Sequence, residues 1–169
     1  MRKIQLKLSL FAVVLLTIAA TSNLFGQETK IKESDLPSAV MKAFHTEYPS
    51  AKIVGTAKEV EKGVTYFEIE SKDGKVGRDL LYTKAGKVAE IEEALTAKSI
   101  PSFVKKTIEK KFKKVEYKRG EKNIRNSITK YEIVIESSEL KYEVVCDAKG
   151  NITKSTKLKN TESDEKDND

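Results

Sequence analysis

From residue 35 onward the apolar positions follow first a period of four and then a period of two, and the chain does this twice. Leu36, Val40, Phe44 and Tyr48 recur every four residues, as do Ile100, Val104, Ile108 and Phe112. That spacing draws an apolar stripe down one face of a helix. Asp35 and Ser99 stand where N-caps are expected, with Pro37 and Pro101 in the first turn, where a missing N–H does no harm. Pro49 stops the first helix; the second has Lys113 there and is expected to run toward Val115. Beyond each helix the pattern alternates. It predicts strands near 52–60, 64–71, 75–83 and 87–93, then near 115–122, 128–137, 140–147 and 151–158. Gly63, Asp73-Gly74 and Ala85-Gly86 punctuate the first set, and Asp-Gly between alternating runs signals a hairpin.

A shift of 64 residues aligns the two halves without a gap. Asp35 falls on Ser99, Pro37 on Pro101, Val40 on Val104, Phe44 on Ile108 and Tyr48 on Phe112. Phe67-Glu68-Ile69 falls on Tyr131-Glu132-Ile133, Leu80-Leu81 on Val144-Val145, and Gly86 on Gly150. Helix, strands and turns match together, which marks a tandem duplication. Short connections between strands imply antiparallel neighbours. The expected fold is therefore α+β, in two tandem units, each with one N-terminal helix packed on a four-stranded antiparallel meander sheet. The units are placed at residues 27–98 and 99–159.

Alternation also sorts the faces. Phe67, Ile69, Val76, Leu80 and Tyr82 should meet the first helix, and Tyr131, Ile133, Ile135, Leu140, Val144 and Cys146 the second. The opposite face carries acids with a few apolar residues at its middle, namely Tyr66, Leu81, Val134 and Val145. These four are the candidate binding patch. They would join into one shallow surface if the two sheets lie edge to edge.

Composition changes this picture mainly at the two ends. Arg2, Lys3 and Lys7 precede the apolar run "LSLFAVVLLTIAA", and small and polar residues follow before Glu28. Residues 1–26 read as a secretory signal peptide, with cleavage expected after Gly26, or alternatively after Ser22. A retained anchor is the rival reading, but the run falls short of the roughly 20 residues a bilayer requires. The protein is thus expected to be exported and soluble, periplasmic or extracellular, with no transmembrane segment after cleavage. Cys146 is the single cysteine, so an internal disulfide is excluded, and its place in an alternating strand implies a buried thiol. The formal net charge is +6. Residues 27–99 are nearly balanced, with 12 basic and 13 acidic side chains, whereas residues 100–159 carry 16 basic against 8 acidic. Residues 160–169 have five acids, one lysine and no apolar residue. They are expected to form a disordered acidic tail that folds back loosely onto the basic half.

The segments "LPSAVMKAFHTEYPSAKI", "GVTYFEIESKDGK" and "DLLYTKAGKVAEI" resemble the bacterial PepSY-like family, which is similar to the β-lactamase-inhibitor-protein fold. The residues that carry the resemblance are Leu36-Pro37, Tyr48-Pro49, Phe67-Glu68-Ile69 and Gly86. The second copy keeps Ile100-Pro101, Tyr131-Glu132-Ile133 and Asp147 in "CDAKGNI". It departs from the pattern at Phe112-Lys113, and the first copy has Thr83 in place of the aspartate. The resemblance implies an exported protein; related domains restrain proteases or inhibit β-lactamases. Inhibition is not carried over, because the inhibitor-type relatives use disulfide-braced loops that one cysteine cannot supply.

Chemistry is sparse. The one histidine, His45, flanks the apolar stripe of the first helix with no second His or Cys nearby, and reads as a surface residue. Asp79, Glu90, Glu92 and Glu93 raise the question of a cation site, but they alternate across strands and lack a dense oxygen loop, and read instead as a solvated strand edge. No catalytic residue, metal ligand or cofactor site is assigned, and the chain reads as no enzyme. Lys105, Lys106, Lys110, Lys111, Lys113, Lys114, Lys118 and Arg119 form a basic run that could hold anionic envelope polymers or lipid head groups by charge. Nucleic acid is not expected as a partner, since export and the lack of stacking aromatics argue against it. The preferred reading is a binding or modulating module for another envelope or secreted protein. Electrostatic binding through the basic second half is the alternative.

Overall fold

The computed structural model describes residues 27–158. The signal peptide read at 1–26 and the acidic tail at 160–169 lie outside the described residues. Strand β1 (Gln27–Lys30) leads through a 3-10 turn into helix α1 (Ser38–Glu47). Strands β2 (Lys52–Glu61), β3 (Val64–Asp73), β4 (Val76–Thr83) and β5 (Val88–Leu95) follow. Helix α2 (Ser102–Lys111) then opens the second copy, with β6 (Val115–Arg125), β7 (Ile128–Ser137), β8 (Leu140–Asp147) and β9 (Ile152–Lys157).

The expected α+β arrangement of two units, each a helix on its own four-stranded sheet, is not what forms. All nine described strands join one antiparallel sheet in sequence order, β1 to β9. The seam is β5 against β6, with Glu90 opposite Arg125, Ile91 opposite Ile124, Glu92 opposite Asn123 and Leu95 opposite Gly120. Two further differences enlarge the sheet: β5 runs to Leu95 and β6 to Arg125, and β1 pairs with β2 through Gln27–Val60 to Lys30–Ala57. Among the described residues the fold is predominantly β, with two ten-residue helices. The physical reason is the strand edge. A four-stranded unit would leave β5 and β6 with rows of unpaired backbone donors and acceptors, and pairing the two edges satisfies both.

Both helices lie on the same face of this sheet. Ile91 packs against the first core and Leu95 against the second, and residues four apart on one strand share a face. Under α1 the core is Leu36, Val40, Phe44, Ile69, Leu80 and Tyr82; under α2 it is Ile100, Val104, Ile108, Tyr131, Ile133, Ile135, Val144 and Cys146. Phe67 packs against the first core only partly buried, while Val76 and Leu140 lie outside both.

The helix starts differ from expectation. Pro37 and Pro101 are themselves the N-cap residues, with extended ψ of 138° and 141°. The Pro37 carbonyl accepts from Val40 and Met41 N–H, and that of Pro101 from Lys105 N–H. Asp35 instead accepts from the Lys32 N–H at 3.3 Å, and the Ser99 hydroxyl donates to the Thr96 carbonyl at 3.1 Å. A proline fits the cap because the cap's carbonyl begins the helix and its N–H is not needed. Helix α2 ends at Lys111, at the same place as α1 despite lacking the proline, and Lys114 turns the chain with φ of 51°.

Candidate functional site

No described element covers the second face of the sheet. Cross-strand partners share a face, so the register fixes what lies beside what. One row runs Glu70, Asp79, Glu92, Asn123 across β3 to β6. The next runs Ala57, Glu68, Leu81, Glu90, Arg125 across β2 to β6. A third runs Ala94, Glu121, Glu132, Val145, Lys154 across β5 to β9. Glu28 stands directly opposite Glu59 as well. Like charges in these positions are destabilising, so the face stores electrostatic strain.

That strain appears in the proton affinities. Burial, followed by the charges of Glu121, Glu90 and Asp79, pushes the Glu92 carboxyl up to about 8. Burial, then Glu28, Asp79 and Glu70, lifts Glu68 to about 7. Burial with Glu70 lifts Asp79 to about 6. Glu59, Glu121 and Glu132 are raised too, again chiefly by burial. Part of the row is tied down. The Asn123 amide donates to Glu90 Oε1 at 2.6 Å and to Glu92 Oε1 at 3.0 Å. Arg125 donates from Nη1 to Glu90 Oε2 at 2.6 Å and from Nη2 to Glu61, so one guanidinium ties β2, β5 and β6 together.

The four residues of the candidate patch, Tyr66, Leu81, Val134 and Val145, all lie on this face. They do not form one patch. Tyr66 and Leu81 stand on β3 and β4, Val134 and Val145 on β7 and β8, and the polar network of Glu90, Glu92, Asn123 and Arg125 stands between them. Leu81 is only 6% exposed, directly between Glu68 and Glu90, whereas the other three are half-buried.

The basic run is also divided. Lys106, Lys110 and Lys111 are exposed on α2, with Lys113 and Lys114 exposed just beyond it. Lys105 is half-buried, with Nζ 5.6 Å from the Tyr117 ring centroid. Lys118 sits where the β6–β7 register shifts and bonds Glu116 at 2.7 Å and Glu136 at 3.0 Å; those two acids are cross-strand partners on the uncovered face. Arg119 stands opposite Val134 on that same face, away from the helix.

His45 is exposed, and its ring stands edge-on to that of Phe44 with centroids 5.3 Å apart. Cys146 is fully buried, which pushes its thiol up to about 11. The four acids weighed as a solvated strand edge do not lie on an edge, since β5 is in the middle of the sheet. Asp79, Glu90 and Glu92 share the uncovered face, while Glu93 points to the helix side and accepts from Arg78 Nε at 2.7 Å. Among the described residues no group of three His, Cys, Asp or Glu side chains is placed to hold a metal ion. No described helix is long and apolar enough to cross a membrane. Alternation places acids on this face, but the crowding of Glu92 against Glu121 depends on the β5–β6 seam, which periodicity does not specify. The one visible sign of that crowding was the strict alternation of Glu90 and Glu92 with Ile91.

No curated protein matches the chain. Among solved structures it is similar to a protein of Bacteroides eggerthii described as one of the "putative periplasmic proteins", at 16% identity and a TM-score of 0.55, over 72% of this chain and 88% of that one. It is similar to a "BLIP-like protein" of Bacteroides fragilis at 15% identity and a TM-score of 0.54, over 75% of this chain and 89% of that one. A DUF2874 family protein of Bacteroides uniformis matches at 13% identity and a TM-score of 0.55, over 72% and 88% of the two chains. At these identities the likeness is one of fold. The family described as "Putative beta-lactamase-inhibitor-like, PepSY-like" matches twice, over residues 24–90 and 76–154. The two matches overlap across β4 and β5 and together span most of the chain, which belongs to this PepSY-like, β-lactamase-inhibitor-like family.

Proposed function

We propose that the protein is an exported module that acts by binding another envelope or secreted protein rather than by catalysis, and that it docks through the uncovered face of the sheet. The observation that carries this reading is the seam, which turns two narrow sheets into one continuous surface with no described helix over it. Export is supported by the N-terminal segment and by the periplasmic description of a protein with the same fold. Binding in place of chemistry is supported by the inhibitor-like description of the family. The half-buried Tyr66, Val134 and Val145 would be the apolar points of contact, set among carboxylates.

The test is positional. A photo-crosslinking amino acid is placed at Tyr66, Val134 or Val145, or at Lys106 on the opposite side, and the protein is irradiated in the intact envelope of its source cell. The expected result is one discrete adduct from the three sheet positions and none from Lys106. Adducts from Lys106 alone would overturn the reading in favour of electrostatic binding through α2. That second reading has one observation in its favour, the exposed lysines at 106, 110, 111, 113 and 114.

A further inference from the structure

We infer that the lysine-rich outer face and C-terminal end of α2 form a docking surface for the chain's own acidic segment, residues 161–169. The inference is independent of the reading of the sheet face.

The surface comes first. Lys106, Lys110, Lys111, Lys113 and Lys114 are exposed, and none of them forms an ion pair with a described residue. Glu109 is the single acid of α2, and one of its oxygens is taken by the Tyr117 hydroxyl at 3.0 Å. The negative end of the helix dipole favours lysines in the last turn, which accounts for Lys110 and Lys111. It gives no role to Lys106, and Lys113 and Lys114 lie past the helix.

The chain exit comes second. Lys157, the last residue of β9, pairs with Tyr142, and the Leu158 N–H continues the ladder to the Lys141 carbonyl at 2.9 Å. The Tyr142 ring packs on Phe112, the residue that ends α2, with centroids 4.9 Å apart. Lys111 Nζ reaches across to Ser155 Oγ on β9 at 2.8 Å. The described chain therefore ends beside the C-terminal turn of α2, among the free lysines.

The segment that follows has the matching chemistry. Glu162, Asp164, Glu165, Asp167 and Asp169 are interrupted by Lys166 alone and by no apolar residue. Glu162 lies four residues past Leu158, a reach of about 14 Å when extended. At the same end of the sheet Glu116 and Glu136 are already paired with Lys118, and Glu139 lines an open depression together with Lys114. Lys106, Lys110, Lys111 and Lys113 line no such depression with acids and are the lysines left to the segment. Tethering holds the segment at an effective concentration of millimolar order, so weak, salt-screened pairs suffice to keep an outside polyanion off α2.

The test compares the full chain with a variant ending at Leu158. Each is made with native α2 and with Lys110→Glu, Lys111→Glu, Lys113→Glu and Lys114→Glu combined. In amide NMR spectra at low salt, removing the segment should move the signals of residues 106–114 in the native background only, and the differences should vanish in about 0.5 M salt. On immobilised heparin, removal should raise the salt needed for elution, and by more in the native than in the charge-reversed background. Signals of 106–114 that are the same with and without the segment would overturn the inference. So would equal elution shifts in both backgrounds, which would mean that the segment acts through net charge alone.

Discussion

Replacing Glu92 by glutamine should stabilise the protein near pH 8 and leave it unchanged near pH 4.5. Glu92 stands between Asp79 and Asn123 in the row that crosses the seam, and burial with the neighbouring acids lifts its carboxyl from 4.5 to about 8. The folded state therefore holds this proton more tightly than the unfolded chain does. The stability that goes with the proton is complete below about pH 4.5 and is lost as the pH rises toward 8. Each pH unit between those values corresponds to about 1.4 kcal/mol, so the whole displacement would be about 5 kcal/mol for an isolated, dry site. The carboxylate is partly solvated, and its neighbours exchange protons with it. We therefore expect about 1–2 kcal/mol. Glutamine keeps the neutral shape, and its amide oxygen can still accept from Asn123. In a domain of this size the gain corresponds to a Tm increase of about 3–8 °C. Thermal unfolding followed by circular dichroism at pH 4.5, 6 and 8, at constant ionic strength, measures it. A Glu92→Gln protein that melts lower than the parent at pH 8, or that gains the same amount at pH 4.5, would refute the account of the row.

Two further substitutions test the packing. Gly86→Ala should cost about 3 kcal/mol, because Gly86 has φ of 78° and a Cβ there would stand 2.4 Å from the Ala39 carbonyl oxygen; Gly63→Ala, with φ of 80° and open space around it, should cost only about 1 kcal/mol in the same chemical-denaturation series. Ile69→Glu and Ile133→Glu each place an unpaired carboxylate at a fully buried position and should cost several kcal/mol, enough to abolish a cooperative melt at neutral pH; a native-like melt of either would show the face assignment to be wrong.

What was legible in the sequence was whatever depends on local periodicity. The strand predicted at 52–60 forms at Lys52–Glu61, that at 128–137 at Ile128–Ser137, and that at 140–147 at Leu140–Asp147. The helix stripes and their partners Ile69, Leu80, Ile133 and Val144 bury as a repeat at 64 residues requires. Even the shared glycine has its cause. Gly86 lies against the backbone of α1, and Gly150 has a Phe103 ring atom 2.6 Å from where its Cβ would be. Alternation says which face a residue takes but not which strand lies alongside. The same pattern suits an edge strand half in water and a central strand with one uncovered face. Periodicity thus allows the two sheets to join edge to edge without requiring it, and leaves the place of Glu90 and Glu92 open. The basic run divides for a related reason: adjacency in sequence groups Lys118 and Arg119 with α2, while the strand carries them to the other side of the sheet.

The seam also decides whether the uncovered face can serve as a docking surface at all. Neighbouring strands lie about 4.8 Å apart and advance about 3.3 Å per residue. Four strands of about nine residues thus offer about 14 by 30 Å, or about 400 Å², well below the roughly 800 Å² that each partner contributes to a stable complex. Nine strands in register offer about 38 by 30 Å, or about 1,100 Å². Neither copy alone has a large enough face, and two copies hinged on a linker would present two small faces at no fixed angle. Joined through β5 and β6 they make one surface of sufficient size, and Arg125 fixes its middle by holding Glu61 on β2 and Glu90 on β5 at once. On the proposed reading the duplication accordingly matters less as a doubling of sites than as the means by which one docking face would become large enough, and closing the seam is what sets Glu90 and Glu92 at its middle.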